Sequence, residues 1–151
     1  MDWSLRRLAG KQIDKQVKPL VSFKIPSVGW IKTIREALGM NIRQLAERTY
    51  VSSERVLKIE GDELEKKLTM ATLHKMAAAM DCKFVYAFVP NNKLEKIIEN
   101  TAWNKARTQM SRISHSMALE DQKTEGKELK EQIDILTEEY LRGNIKNIWE
   151  K

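Results

Sequence analysis

Apolar residues recur at steps of three and four along most of the chain, the spacing that places them on one face of a helix. Between residues 29 and 82 this pattern is divided into short lengths by helix-stop and helix-start signals. Gly39 ends the first length, Asn41 can cap the next helix, and a further helix follows Thr69. The apolar positions of the first and last lengths are Trp30, Ile31, Ile34, Leu38, Leu73, Met76, Ala77 and Met80. The pattern predicts several short helices around one core.

Residues 41–60 have the spacing of two short helices that pack at a steep angle around a tight turn. The positions that such packing requires to be small or apolar are filled by Ala46, Val51, Val56 and Ile59. This arrangement is the helix-turn-helix, whose second helix enters the major groove of DNA. The turn carries Tyr50 where a glycine in the left-handed region is usual.

Residues 83–89, KFVYAFV, are the strongest strand signal, because they are rich in β-branched and aromatic side chains and are closed by Pro90. A single strand needs a partner, and the alternating segment 21–25 is a weak one. Pairing with the same strand of a second copy is more economical, and a two-fold axis also suits two DNA half-sites. We therefore predict a homodimer with an interface made by Phe84, Val85, Tyr86, Ala87 and Phe88.

The flanking segments read as further helices. Residues 4–18 predict an amphipathic helix that ends at Pro19, with Leu5, Leu8, Ile13 and Val17 on its apolar face. A long helix is expected from Leu94 to about Gln122 and a last helix from about Lys127 to Leu141. The apolar stripes of these last two helices suit a protein partner.

Charge is distributed unevenly along the chain. The net charge is +6, and residues 1–50 hold ten Lys and Arg against four Asp and Glu, whereas the rest is balanced. A basic segment beside a helix-turn-helix favours contact with DNA phosphates. Cys82 is the sole cysteine, so no intramolecular disulfide and no cysteine-rich metal site is expected. There is no apolar run of about 20 residues and no signal peptide, so a cytoplasmic protein without a membrane span is expected.

An enzyme is not indicated. His74 and His115 are far apart in the sequence, and there is no phosphate-binding glycine loop, nucleophile elbow or cluster of ligands. We therefore expect neither a catalytic site nor a cofactor nor a metal.

The candidate DNA-contact residues lie at the start of the second helix of the helix-turn-helix, because residues just after its N-terminal cap reach base edges. Ser52 or Ser53 caps this helix, and the forked guanidinium of Arg55 matches O6 and N7 of guanine. Glu54 can accept a hydrogen bond from cytosine. The remaining candidates are Gln44 and Ser53 for bases or phosphates, and Arg43 and Lys58 for phosphates. The alternative for each is an ordinary solvated side chain.

Four stretches, GWIKTIREALGM, RQLAERT, LTMATLHKMAAAMDCKFVYAFVP and SMALEDQ, resemble the family called mobile mystery protein A over most of the chain. Residues 29–82 resemble a helix-turn-helix domain of the phage-repressor or xenobiotic-response-element type, which implies a compact unit of five helices. Members of the family are encoded beside a Fic-domain protein, an AMP transferase. The resemblance implies such a partner here.

Ser116, Leu119 and Glu120 resemble the inhibitory helix of Fic regulators, Ser/Thr-x-x-x-Glu-Gly/Asn. There the glutamate pairs with an arginine that would otherwise hold the γ-phosphate of ATP. Residues four apart share a helix face, so Ser116 and Glu120 can enter one cleft together. Asp121 departs from the motif, and the alternative is a solvated helix face.

These inferences predict a mainly α protein with a five-helix DNA-binding domain, one intermolecular β-strand and a C-terminal helical extension. The expected segments are a basic helix and linker, the helix-turn-helix domain, a dimerisation strand and a partner-binding region, at 1–28, 29–82, 83–90 and 91–151. The predicted function is an antitoxin that binds a double-stranded operator, represses its own operon and neutralises a Fic toxin. The alternatives are a stand-alone repressor and a neutralising protein without sequence-specific DNA binding.

Overall fold

The computed structural model describes residues 2–119 and 126–150, excluding the side chains of residues 114 and 116–119. The described residues are mainly helical and include no strand. The chain forms two compact units, one of Ser22–Ala87 and one of Met1–Val21 with Phe88–Lys151.

The unit Ser22–Ala87 contains four helices: α2 (Trp30–Ala37), α3 (Ile42–Thr49), α4 (Ser53–Leu64) and α5 (Met70–Ala79). Side-chain caps fix where three of them begin, because a cap satisfies backbone N–H groups that have no partner within the helix. The Asn41 and Ser52 side chains accept hydrogen bonds from the N–H groups of Gln44 and Arg55, at 2.9 and 3.1 Å. Thr69 caps α5 in the same way. These caps agree with the sequence prediction.

The core of this unit joins all four helices. Its buried side chains are Ile31, Leu45, Ala46, Val56, Ile59, Met76 and Met80. Thr49 is buried among them, and its hydroxyl donates to the backbone oxygen of Leu45 at 2.8 Å. Because that bond satisfies the hydroxyl, Thr49 can occupy the core without an unpaired polar group.

Two expectations do not match the structure of the single chain. It has four helices, not five, because α5 ends where Asp81 adopts the left-handed conformation (φ 54°) and the Cys82 N–H bonds back to the Ala77 oxygen. Residues 83–89 have no regular secondary structure, so the predicted strand is absent from the single chain. A strand requires a ladder partner, and among the described residues no other segment, 21–25 included, supplies one.

The other unit contains α1 (Trp3–Val17), α6 (Leu94–Leu119) and α7 (Gly126–Arg142), with short 3₁₀ helices at Lys18–Leu20 and Ile145–Trp149. Its three helices and their approximate limits follow the sequence prediction. Helix α6 packs against both α1 and α7. The buried centre of this unit is formed by Ala102, Leu141, Ile145 and Ile148, with Trp3, Ile98 and Tyr140 packed against it.

The predicted apolar face of α1 is not the face that packs. Leu5, Leu8 and Ile13 are exposed, whereas Gly10 is buried, and a Cβ atom on Gly10 would lie 3.4 Å from the Cβ of Leu94. The Asp14 carboxylate accepts a hydrogen bond from the Leu94 N–H at 3.2 Å and thereby caps α6. Close approach at a glycine and a polar cap, rather than apolar periodicity, set the orientation of this helix.

Candidate nucleic-acid interface

The turn between α3 and α4 brings the two helices together without a glycine. Tyr50 adopts the left-handed conformation at φ 56°, and its side chain is almost fully exposed. The next N–H, that of Val51, donates to the Ala46 oxygen at 3.1 Å and closes the end of α3. The left-handed conformation costs a non-glycine residue roughly 1–2 kcal/mol, which the packing of the two helices must offset.

Helix α4 has a buried face and an open face. Val56, Ile59 and Glu60 point inward, and Val56 is completely buried. The exposed side chains in the first half of the helix are Glu54, Arg55, Leu57 and Lys58. This face therefore brings together three of the DNA-contact residues that the sequence predicted, Glu54, Arg55 and Lys58.

Three of the remaining four predicted contact residues have local partners. Ser52 is the cap of α4, so its hydroxyl is held against the helix end, and Ser53 is half-buried. The Gln44 side-chain oxygen accepts from the Asn41 N–H at 2.8 Å, which leaves its amide group as the donor for a ligand. Arg43 lies 3.6 Å from Glu47 in an exposed ion pair, which is weak enough to exchange for a phosphate.

A buried ion pair holds α4 against α2. The Arg35 guanidinium donates from Nε to Glu60 Oε1 at 2.7 Å and from Nη2 to Oε2 at 3.3 Å, and both residues are less than 10 % exposed. Its Nη1 also donates to the Met40 oxygen at 2.9 Å. The hydrogen bonds to Glu60 raise the pKa of Arg35 above its ordinary value. A base with a raised pKa stabilises the fold at every pH below its unfolded value, so this arginine contributes its full charge throughout the neutral range.

A second link between the same helices caps α2. The Glu63 carboxylate accepts hydrogen bonds from the N–H groups of Trp30 and Ile31, at 2.8 and 3.0 Å. Gly29 leaves space for this carboxylate, because a Cβ atom there would lie only 2.6 Å from Glu63 Oε2. Its φ of +82° is a second reason for glycine at this position, since other residues rarely adopt that conformation. Carboxylates are favourable at a helix N-terminus, where backbone N–H groups are unpaired.

The sequence analysis did not predict the structural roles of Arg35, Glu60 and Glu63. A signal was available for one pair: Arg35 follows Ile31 by four positions and Glu60 follows Val56 by four, so each charged residue shares a helix face with core residues. Opposite charges on two buried faces indicate an internal ion pair. No comparable pattern marks Glu63 as a cap.

Comparison with known families supports this geometry. Residues 31–86 match the family model described as Helix-turn-helix, which spans α2 to the segment after α5. A helix-turn-helix domain of the phage-repressor type is therefore present, and this is a domain of DNA-binding transcription regulators. No curated protein and no solved structure matches the chain.

The five residues that the sequence predicted for dimerisation differ in exposure in the single chain. Phe84 is half-buried and packs edge-on against His74, with ring centroids 5.0 Å apart. Val85, Tyr86, Ala87 and Phe88 are exposed.

The predicted toxin-inhibition residues fall at the end of α6. Ser116 and Leu119 lie in its last turns, and Glu120 lies outside the described residues.

None of the helices in the described part of the chain combines the length and the apolar character that a membrane span requires.

Proposed function

We propose that the protein is a sequence-specific repressor that binds its operator through the open face of α4. The observation that carries this proposal is the separation of α4 into a face held by core packing and the Arg35–Glu60 pair, and an outer face that presents Arg55 and Lys58. A helix fixed on one side and exposing donors on the other fits the major groove.

In this proposal each exposed residue has a separate task. Arg55 reads guanine through two donors, and Glu54 accepts from cytosine. Lys58 and Arg43 neutralise phosphates, which positions the domain without reading sequence. Ser52 and Ser53 at the start of α4 and the amide of Gln44 in α3 add hydrogen bonds to bases or phosphates.

Arg55→Ala should weaken operator binding by about 1–3 kcal/mol and relax the preference at one base pair, because a bidentate contact to guanine is lost. Lys58→Ala should weaken all sequences alike and reduce the salt dependence of binding by about one phosphate contact. Titrations at two salt concentrations, with duplexes selected from a random pool, separate the two effects. Operator affinity that is unchanged in Arg55→Ala removes this residue from the base readout.

We further propose that the protein acts as a homodimer that pairs through residues 84–88. What supports this is that three large side chains of the segment, Val85, Tyr86 and Phe88, are exposed, and that the segment is rich in strand-forming residues. A two-fold axis would also place two α4 helices for two half-sites.

We propose a second task for the C-terminal helical unit, neutralisation of a Fic-domain AMP transferase encoded beside the protein. The support is the resemblance to the mobile mystery protein A family and the motif that contains Ser116, Leu119 and Glu120. A repressor without such a partner is the alternative, and so is a neutralising protein that lacks sequence-specific DNA binding.

Glu120→Gly should release AMP transfer by the Fic partner while leaving operator binding unchanged. The glutamate would no longer compete with the γ-phosphate of ATP for the partner's arginine, and a charge-assisted contact of this kind is strong. The partner is co-expressed with either chain and AMP transfer is measured. Glu131→Gly, which removes a carboxylate from the exposed side of α7, is the matched control. Equal AMP transfer with both variants and the wild type would favour the repressor that acts alone.

A further inference from the structure

One apolar side chain on the open face of α4, that of Leu57, lies outside the core of the unit. Leu57 is 57 % exposed, although its neighbours Val56 and Ile59 fill the core. It lies beside Lys58, in the first half of the helix, where the proposed DNA contacts are. An isolated exposed leucine is ordinary on a protein surface, so its exposure alone assigns no role.

A second residue on this face of α4, Gly61, is a glycine that the described part of the fold does not require. Gly61 follows Leu57 by four positions and therefore lies one turn further along the same face. A Cβ added to Gly61 would have no atom within 4 Å, so nothing among the described residues requires a glycine there. Glycine inside a helix is unfavourable relative to alanine, but it permits close approach of another molecule.

The chemistry of the row indicates what approaches it. Glu54, Leu57 and Gly61 are spaced by three and four residues, and Arg55 and Lys58 flank them with positive charge. Leu57 offers no hydrogen bond, so it can discriminate only an apolar group. In the major groove that group is the C5-methyl of thymine, which the other three bases lack.

We infer that Leu57 contacts the methyl group of an operator thymine and that Gly61 allows α4 to approach the groove closely enough for this contact. The inference rests on the proposed binding of DNA by α4. It adds a base identity that the hydrogen-bonding residues do not specify.

Uracil in place of thymine tests the contact, because it removes the methyl group and leaves every hydrogen-bonding group in place. In a selected operator each thymine is replaced in turn, and the affinity of the wild-type protein is measured. One replacement should weaken binding about three- to fivefold, the factor expected from burial of a single methyl group. Leu57→Ala should bind the thymine operator more weakly by a similar factor and should be insensitive to that replacement.

Two further variants keep the result interpretable. Leu38→Ala removes a leucine of similar exposure at the end of α2 and should retain the wild-type response to uracil. Gly61→Ala should raise the melting temperature, since alanine favours the helix, and should weaken binding to the thymine and uracil operators.

Several outcomes overturn the inference. One is independent, multiplicative effects of Leu57→Ala and uracil at every position, since residues in contact are coupled. Another is a change in the monomer–dimer equilibrium of Leu57→Ala without a change in thymine response, which would make this face a protein interface. If the wild-type protein selects no sequence at all, the proposed function fails as well. Selective binding that tolerates uracil everywhere removes Leu57 alone.

Discussion

Replacement of Arg35 by alanine is expected to lower the free energy of unfolding of the DNA-binding unit, Ser22–Ala87, by about 3–5 kcal/mol. The change leaves the Glu60 carboxylate buried without the two hydrogen bonds that the guanidinium donates to it. The Met40 oxygen also loses the hydrogen bond from Arg35 Nη1. A small domain is stabilised by only about 5–15 kcal/mol in total, so much of its stability would be lost. Urea denaturation followed by circular dichroism measures the difference.

Two comparisons identify burial as the cause. Arg43→Ala breaks an exposed ion pair with Glu47 and should change stability by less than about 1 kcal/mol. The double change Arg35→Met with Glu60→Leu removes both charges and should cost less than Arg35→Ala alone, because no unpaired carboxylate remains. A loss in Arg35→Ala no larger than in Arg43→Ala would contradict a buried, desolvated pair.

Val85→Asp is expected to convert the proposed dimer to a monomer and to weaken binding to the full operator by a factor of about 100 or more. Val85 is 72 % exposed in the single chain, so the change should leave the monomer folded. Across a two-fold axis each copy would bring its own carboxylate to the interface, and like charges at a contact repel. Light scattering gives the oligomeric state, and titration gives the affinity.

The comparison that isolates dimerisation is binding to a single half-site. A monomeric variant with an intact α4 should bind one half-site as the wild-type monomer does, because only bivalency is lost. Ile135→Asp introduces the same charge at a similarly exposed position on α7 and should leave the dimer intact. A dimer that persists in Val85→Asp would place the interface elsewhere.

The sequence by itself determined the helices of the DNA-binding unit and the open face of α4. Apolar spacing and the caps at Asn41, Ser52 and Thr69 act over three or four residues, so they can be read without knowing what lies opposite. The same spacing identified Val56 and Ile59 as core positions, and this placed Arg55 and Lys58 outside.

Only the tertiary structure decided how these elements are joined. Periodicity can place Arg35 and Glu60 on the buried faces of their helices, but the contact between these residues, 25 apart in the sequence, belongs to the tertiary structure. Asp14 and Leu94 are 80 residues apart, and no local pattern pairs them. The packed face of α1 was wrongly predicted for this reason, because close approach at Gly10 depends on the helix that lies against it. A strand likewise depends on its partner, since its hydrogen bonds are made to another segment. The described part of the single chain contains no segment that pairs with residues 83–89.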